Sequence, residues 1–306
     1  MDYRKIGDLD ISLFTLGTVQ LGIDYGIVGS TQKPTQDAAF AVLDEAAKLG
    51  VNTWDTANNY GDSERVIGNW IGGNRGPKPN IITKIGPLDH SSASALRDDI
   101  LRQTEKCCAD LQVEQLDMLM LHDFNDYAKN PDVCTKVFAE LKAEGVIKTS
   151  AISTYSEYDY NVIAESEFDA TQIPLNVFDW GKIESGEMEA LEKAGKAVFT
   201  RSVFLQGLVF MDPEKLPEKM AFCQPTLRKY QALCKEFEVS PAVLALSYVL
   251  SVPAVTSVVL GCQTPEQVAS NCQMVAGRLE LTDAHMEALR KAFADTPRRV
   301  LDPRIW

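Results

Sequence analysis

Histidine is scarce in this chain of 306 residues: His90, His122 and His285 are the only three, and the seven cysteines (107, 108, 134, 223, 234, 262 and 272) contain no C-x-x-C pair. Structural zinc and a disulfide framework are therefore poor readings. No apolar run approaches the roughly 20 residues that span a bilayer. The opening MDYRKIGDLD lacks the apolar core of a signal peptide, so a cytoplasmic protein is expected. Basic charge is also short: 30 Lys and Arg stand against 43 Asp and Glu, a net charge of −13. That balance disfavours nucleic acid and anionic membranes as partners and leaves the oligomeric state open. Neither G-x-G-x-x-G nor a P-loop occurs, which counts against a doubly wound nucleotide-binding sheet. What is present is ordinary globular composition, 45% hydrophobic and 24% charged, with no Ser/Gly-rich linker, so residues 1–306 read as one domain.

Short β-rich apolar runs alternate with amphipathic segments. Strands are expected near 14–19, 51–56, 80–85, 116–121, 147–152, 168–173, 197–202 and 256–261. Helix signals lie between them. Thr35 precedes a helix that ends at Gly50, Ser63 is expected to cap the next, and Ser240-Pro241 and Thr264-Pro265 pair an N-cap with a first-turn proline, Gln267 completing a capping box. Around LRQTEKCCADL, Leu96, Ile100, Thr104, Cys107 or Cys108, and Leu111 share a stripe, so the cysteines read as buried filler. Eight such units predict an α/β (β/α)8 TIM barrel. YRKI and ISLF form an N-terminal hairpin cap, 222–238 an additional helix, and DTPRRVLDPRIW an extended C-terminal tail lying outside the barrel or over its mouth.

In such barrels chemistry sits at the C-terminal strand ends. Those ends carry Asp55 and Tyr60 after the second strand, Lys84 on the third and His122 after the fourth. A Lys–Asp pair beside a phenol would lower its pKa from about 10, making Tyr60 a general acid. His122 could polarise a carbonyl. Each residue alone also admits a purely structural reading, as a satisfied ion pair or a hydrogen-bonded imidazole. A metal-dependent hydrolase would need clustered His and carboxylates, and no H-x-H occurs.

WDTANNYGDSERVIGNWI, ITKIG and LMLHDF resemble the three central motifs of the aldo-keto reductase superfamily, and LGT, ATQIPLNVFD, SVFLQGL and VVLGCQTPEQVASN are similar to its cofactor-contacting segments in order. The resemblance spans nearly the whole chain. It implies a barrel that binds a nicotinamide dinucleotide in extended form and transfers hydride to a carbonyl carbon. It implies Tyr60 as acid/base, Asp55 and Lys84 as its tuning pair, and His122 as the carbonyl-orienting donor. Ser153, Thr154 and Gln172 match the carboxamide positions, and Gly17 and Thr18 the nicotinamide-ribose segment. Arg201, Ser202, Phe204, Gln206 and Gly207 match the strand-seven segment, and Gly261, Gln263, Gln267 and Asn271 the adenosine-phosphate loop. A helix start at Thr264 independently suits a phosphate.

Three departures stand out. Arg201 replaces the aromatic side chain that commonly stacks on the nicotinamide, though a planar guanidinium can also stack. Thr154 replaces an asparagine, and Gly261 and Gln267 stand where Lys or Arg often holds a 2′-phosphate. NADPH is the expected cofactor, with NADH as the alternative. The loops QLGIDYGIVGSTQKP (with Asp24 and Tyr25), Asn58-Asn59, HDFNDY (with Asp123) and the tail with Arg298, Arg299 and Trp306 suit a polar carbonyl substrate such as a sugar. The alternative function is a cofactor-binding regulatory subunit that reports redox state with little turnover.

Overall fold

Each of the eight β-rich stretches forms a strand in the computed structural model, which describes residues 1–24 and 32–306. After a hairpin of β1 (Tyr3–Ile6) and β2 (Leu9–Ser12) come β3 (Phe14–Gly17), β4 (Thr53–Asp55), β5 (Asn80–Ile85), β6 (Leu116–Leu121), β7 (Ile147–Ser153), β8 (Ala170–Pro174), β9 (Ala197–Arg201) and β10 (Val255–Gly261). The last eight are parallel and close into a barrel in the order β10-β3-β4-β5-β6-β7-β8-β9. Closure comes from β10 on β3, where Gly261 registers with Gly17.

Residues two apart on a strand share a face, and this places the site. Ile82 and Lys84 share one face of β5, as do Met118 and Met120 on β6, Ala151 and Ser153 on β7, Ala170 and Gln172 on β8, and Phe199 and Arg201 on β9. The first member of each pair is apolar and belongs to a small inner core that Leu9 and Ile11 of the hairpin complete from below. Full burial of one such Leu or Ile contributes about 1.5–3 kcal/mol. Polar groups on the same faces, one repeat further along, point to the opposite mouth.

A larger core lies between strands and helices. It includes Leu43 of Gln36–Lys48, Ile67 and Trp70 of Ser63–Gly72, and Leu96, Ile100, Cys107 and Leu111 of Ala93–Leu111. The two tryptophans, Trp54 and Trp70, meet edge-on at 4.8 Å between ring centroids. The expected stripe is thus buried, and Cys107 rather than Cys108 is its fully buried thiol. The extra helix is Gln224–Glu236.

Thr35, Ser240 and Thr264 accept from the backbone N–H three residues on, as capping residues do. Three expectations need correction. Asp62, not Ser63, precedes the helix Ser63–Gly72, because the Ser63 hydroxyl is turned inward to Thr18 and Thr56. The Gln267 amide accepts from Gln263 N at 2.6 Å instead of returning to Thr264, so the capping box is incomplete. The tail is not extended: Arg298–Leu301 and Pro303–Ile305 are single helical turns, and Leu301, Asp302, Pro303 and Arg304 line a cavity at the barrel mouth.

Candidate active site

Lys84 has no solvent exposure and Asp55 is 3% exposed. Lys84 Nζ donates to Asp55 Oδ2 at 2.7 Å and to the Thr56 carbonyl at 2.9 Å, while Gln172 Nε2 donates to Asp55 Oδ1 at 2.8 Å. The ion pair is therefore knit across three strands. Burial alone would push the Lys84 pKa down, but Asp55 and Tyr60 outweigh it and hold it above the ordinary lysine value.

Tyr60 sits over this pair, with Lys84 Nζ 5.0 Å from its ring centroid. The turn that carries it depends on glycine. A Cβ on Gly22 would lie 1.8 Å from the Tyr60 carbonyl oxygen, and Gly61, at φ +57°, would bring a Cβ to 2.5 Å from the Gly22 oxygen. Two backbones thus pack directly on one another, and Asp62 N donates to Gly22 O at 3.3 Å. The Tyr60 pKa is raised, not lowered as expected. Desolvation of the phenolate is the largest influence, and Lys84, already neutralised by Asp55, only partly offsets it.

The His122 ring meets Tyr60 edge-on at 5.6 Å. Its Nδ1 is buried without a partner among the described residues. Burial pushes the imidazole pKa down to about 3, with Lys84 and Arg201 acting in the same direction, so it is neutral at working pH.

Two cavities flank these rings. The larger, of 550 Å³, is lined by Asp55, Tyr60, Gln172, Arg201, Ser202, Phe204, Gln206, Gly207, Gly17 and Gly261. Its neighbour, of 510 Å³, is lined by His122 with Asn59, Asp123, Asn125, Asp126, Lys129 and Tyr155. Asp55 and Tyr60 line the first chamber and His122 the second, with the Tyr60 and His122 rings 5.6 Å apart, and Lys84 lies buried against Asp55. Ser202 and Gln206 adopt positive φ, at 62° and 52°, and Gly207 reaches 96°, a backbone that turns sharply along the cavity wall.

Several expected residues do not line the cavities. Thr18 is buried and donates to the Asp55 carbonyl at 2.8 Å. Ser153 and Thr154 are buried, Thr154 Oγ1 without a partner among the described residues. Gln263 and Gln267 bond to each other, and Asn271 Nδ2 donates to Cys262 Sγ at 3.2 Å. Of the substrate-loop residues, Asn58 turns to Gln103, Asp24 accepts from Lys33 N, and Tyr25 lies outside the described residues. Arg298 approaches Glu157, Arg299 stacks on Phe222, and the Trp306 indole donates to Arg299 O.

Tyr155 and Phe210 line the first chamber without lying in any stretch singled out from sequence, beside Gln20 of the loop QLGIDYGIVGSTQKP and Asp302 to Arg304 of the tail. Tyr155 directly follows Ser153-Thr154, and Phe210 lies two residues beyond SVFLQGL, so each had a neighbouring motif as a signal.

Gly17 and Gly261 line the first chamber, and the Gln20 amide packs onto Gly261, where a Cβ would fall 2.3 Å from it. Gln20 Oε1 is itself buried beside it, with no partner among the described residues. A nicotinamide dinucleotide needs polar atoms free to bond it, and a chamber lined by Gln20, Gln172, Arg201, Ser202 and Gln206 supplies them, so the residues present fit one. Among the described residues no three His, Cys, Asp or Glu side chains cluster as metal ligands, and no helix is long and apolar enough to cross a membrane.

Comparison with known proteins agrees with this geometry. The profile of the Aldo/keto reductase family matches residues 14–294. The chain is 30% identical over 312 residues to the uncharacterized oxidoreductase YqkF of Bacillus subtilis, covering 95% of this chain and 96% of that protein. It is 26% identical to L-galactose dehydrogenase of Arabidopsis thaliana, over 96% of this chain and 94% of that one. Among solved structures, a glycerol dehydrogenase of Gluconobacter oxydans superposes with a TM-score of 0.77 at 23% identity, covering 99% of this chain and 97% of the other. The holo form of an aldo-keto reductase of Bacillus halodurans gives 0.76 at 23% identity, covering 99% and 100%. This chain belongs to the aldo/keto reductase family and is a nicotinamide-dependent oxidoreductase.

Proposed function

We propose that the protein reduces an aldehyde or ketone to the alcohol with Tyr60 as proton donor. The observation that carries this reading is the single phenol, lining the first chamber, held against both the buried Lys84 ammonium and the neutral His122 ring. A bound nicotinamide supplies hydride. As charge builds on the carbonyl oxygen, Tyr60 transfers its phenolic proton there and forms the O–H bond, leaving a phenolate beside Lys84. A raised phenol pKa suits this task, because the acid form persists at neutral pH while an alkoxide is far more basic. His122, neutral, orients the carbonyl by hydrogen bonding. Asp55 keeps Lys84 charged and Gln172 keeps Asp55 in place.

Gly17, Gln172, Ser153 and Thr154 are assigned to the nicotinamide end, with Thr18 holding the Asp55 backbone. Arg201, Ser202, Phe204, Gln206 and Gly207 are assigned to the wall of the groove. Gly261, Gln263 and Gln267 are assigned to the adenosine end, Asn271 anchoring that loop through Cys262. NADPH is the first cofactor to test, with NADH beside it, because residues 261–271 hold no Lys or Arg for a 2′-phosphate. The polar lining of the His122 chamber supports a hydroxylated carbonyl substrate such as a sugar. Relatives named for L-galactose and glycerol point the same way. Residues 1–306 are read as one domain, supported by the return of the tail to the mouth. Seven unpaired thiols fit the cytoplasm.

The test is Tyr60→Phe assayed with NADPH and NADH against small and sugar aldehydes. Turnover should fall by about 10²–10⁴, the usual contribution of a positioned acid, while cofactor binding by fluorescence persists. Unchanged turnover in this variant removes Tyr60 from the chemistry. Tight cofactor binding without turnover in the unaltered protein would favour the redox-reporting subunit.

A further inference from the structure

Tyr155 follows β7 and, among the described residues, is the one side chain that lines both chambers. Its ring carries two guanidinium groups, Arg201 Cζ at 4.2 Å and Arg304 Cζ at 3.8 Å from the centroid. Each is fixed from a different part of the chain. Arg201, on the barrel wall, donates to the Thr154 carbonyl at 3.0 Å. Arg304, in the C-terminal segment, lies 2.6 Å from Asp302 and 2.9 Å from Glu157. The ring is thus clamped by contacts to its faces, and no described residue hydrogen-bonds its hydroxyl.

A carbonyl oxygen served by both Tyr60, in the first chamber, and His122, in the second, must sit where the chambers adjoin. We propose that Tyr155, clamped by Arg201 and Arg304, is a specificity-determining residue that sets the width of the passage between the chambers and so the bulk of the carbonyl compound that can react. The proposal rests on the reductase reading above. The second chamber receives the body of the substrate, and its donors and acceptors, Asn59, Asp123 and Asn125, suit a short hydroxylated chain. A longer chain runs into the ring edge, and the clamp keeps the ring from swinging aside.

The test measures kcat and KM for hydroxyaldehydes of increasing length, from glycolaldehyde to an aldopentose, with the unaltered protein, Tyr155→Ala, Tyr155→Phe and Arg304→Ala. Tyr155→Ala should shift the ratio of kcat/KM for the longest over the shortest compound upward by about tenfold or more, mainly through KM. Tyr155→Phe, which keeps the ring and its stacking, should retain the original ratio. An unchanged ratio in folded Tyr155→Ala, or an equal loss of kcat on every compound, overturns the proposal. Should Tyr155→Ala lose its cooperative melt, Arg304→Ala decides: a ratio shifted in the same direction supports the clamp, and an unchanged one refutes it. If the unaltered protein binds cofactor but reduces no aldehyde of the series, the reductase reading itself fails and this proposal with it.

Discussion

Lys84 Nζ and Asp55 Oδ2 lie 2.7 Å apart in a pair whose lysine has no solvent exposure. Removing one partner strands the other charge. Asp55→Ala is expected to destabilise the protein by about 3–5 kcal/mol, since it leaves Lys84 buried and unpaired and frees Gln172. The double change to apolar residues, Asp55→Leu with Lys84→Met, should recover much of that stability but no turnover. Urea unfolding midpoints separate the two, and an unaltered midpoint in Asp55→Ala would falsify the burial argument. The pair also has a pH signature. With its folded pKa raised, Lys84 contributes stability that is full below about 10.4 and lost as pH rises through the folded value.

Neither Tyr60 nor His122 should titrate between about pH 5 and 8, one being held above its ordinary range and the other pushed down to about 3. The kcat/KM for reduction is expected to be flat across that interval. Alcohol oxidation, which needs the phenolate, should climb with pH. An inflection near 6.5 that vanishes in His122→Gln would show that the imidazole charges in the free enzyme. Burying His122 neutral also ties stability to acid: its contribution is full above about 6.5 and is lost as pH falls toward about 3.

Two glycines at the mouth should respond unequally to alanine. In Gly22→Ala the new Cβ meets the Tyr60 carbonyl at 1.8 Å, a backbone atom that cannot yield without moving the phenol. A loss of 1–3 kcal/mol or more, as for overpacked cores, should accompany a fall in turnover. In Gly261→Ala the obstacle at 2.3 Å is the end of the flexible Gln20 side chain, so the melt should barely move. Equal melting temperatures for the two variants would contradict this account.

Asp179 is buried and its pKa is raised to about 6 by desolvation, eased by a backbone N–H at Gly181 and by Lys182. A raised carboxyl pKa favours folding in acid, and that advantage is lost as pH climbs from about 4 through 6. Asp179→Asn should therefore stabilise the protein at pH 7, by up to about 3 kcal/mol, and leave it unchanged near pH 3. Equal effects at both pH values would refute the linkage.

Hydrophobic periodicity was enough to locate all eight barrel strands, because alternation and turn signals are local properties of the chain. The residue types at Asp55, Tyr60, Lys84 and His122 were likewise legible, since strand ends are where a barrel exposes polar groups. Local reasoning failed where a side chain chose a distant partner. Ser63 looked like a cap until Thr18 and Thr56 took its hydroxyl, and Gln267 looked like half of a capping box until Gln263 claimed its amide. The sign of the Tyr60 pKa shift was decided by burial, a quantity that no spacing encodes. The Tyr155 clamp joins residues 155, 201 and 304, and the close approach of Gly22 to Tyr60 joins two loops. The sequence by itself determined which groups face the mouth, through the period of two along each strand. Only the closed barrel and the returning tail decided which of them meet, because contacts between residues far apart in the chain depend on how its elements pack in space.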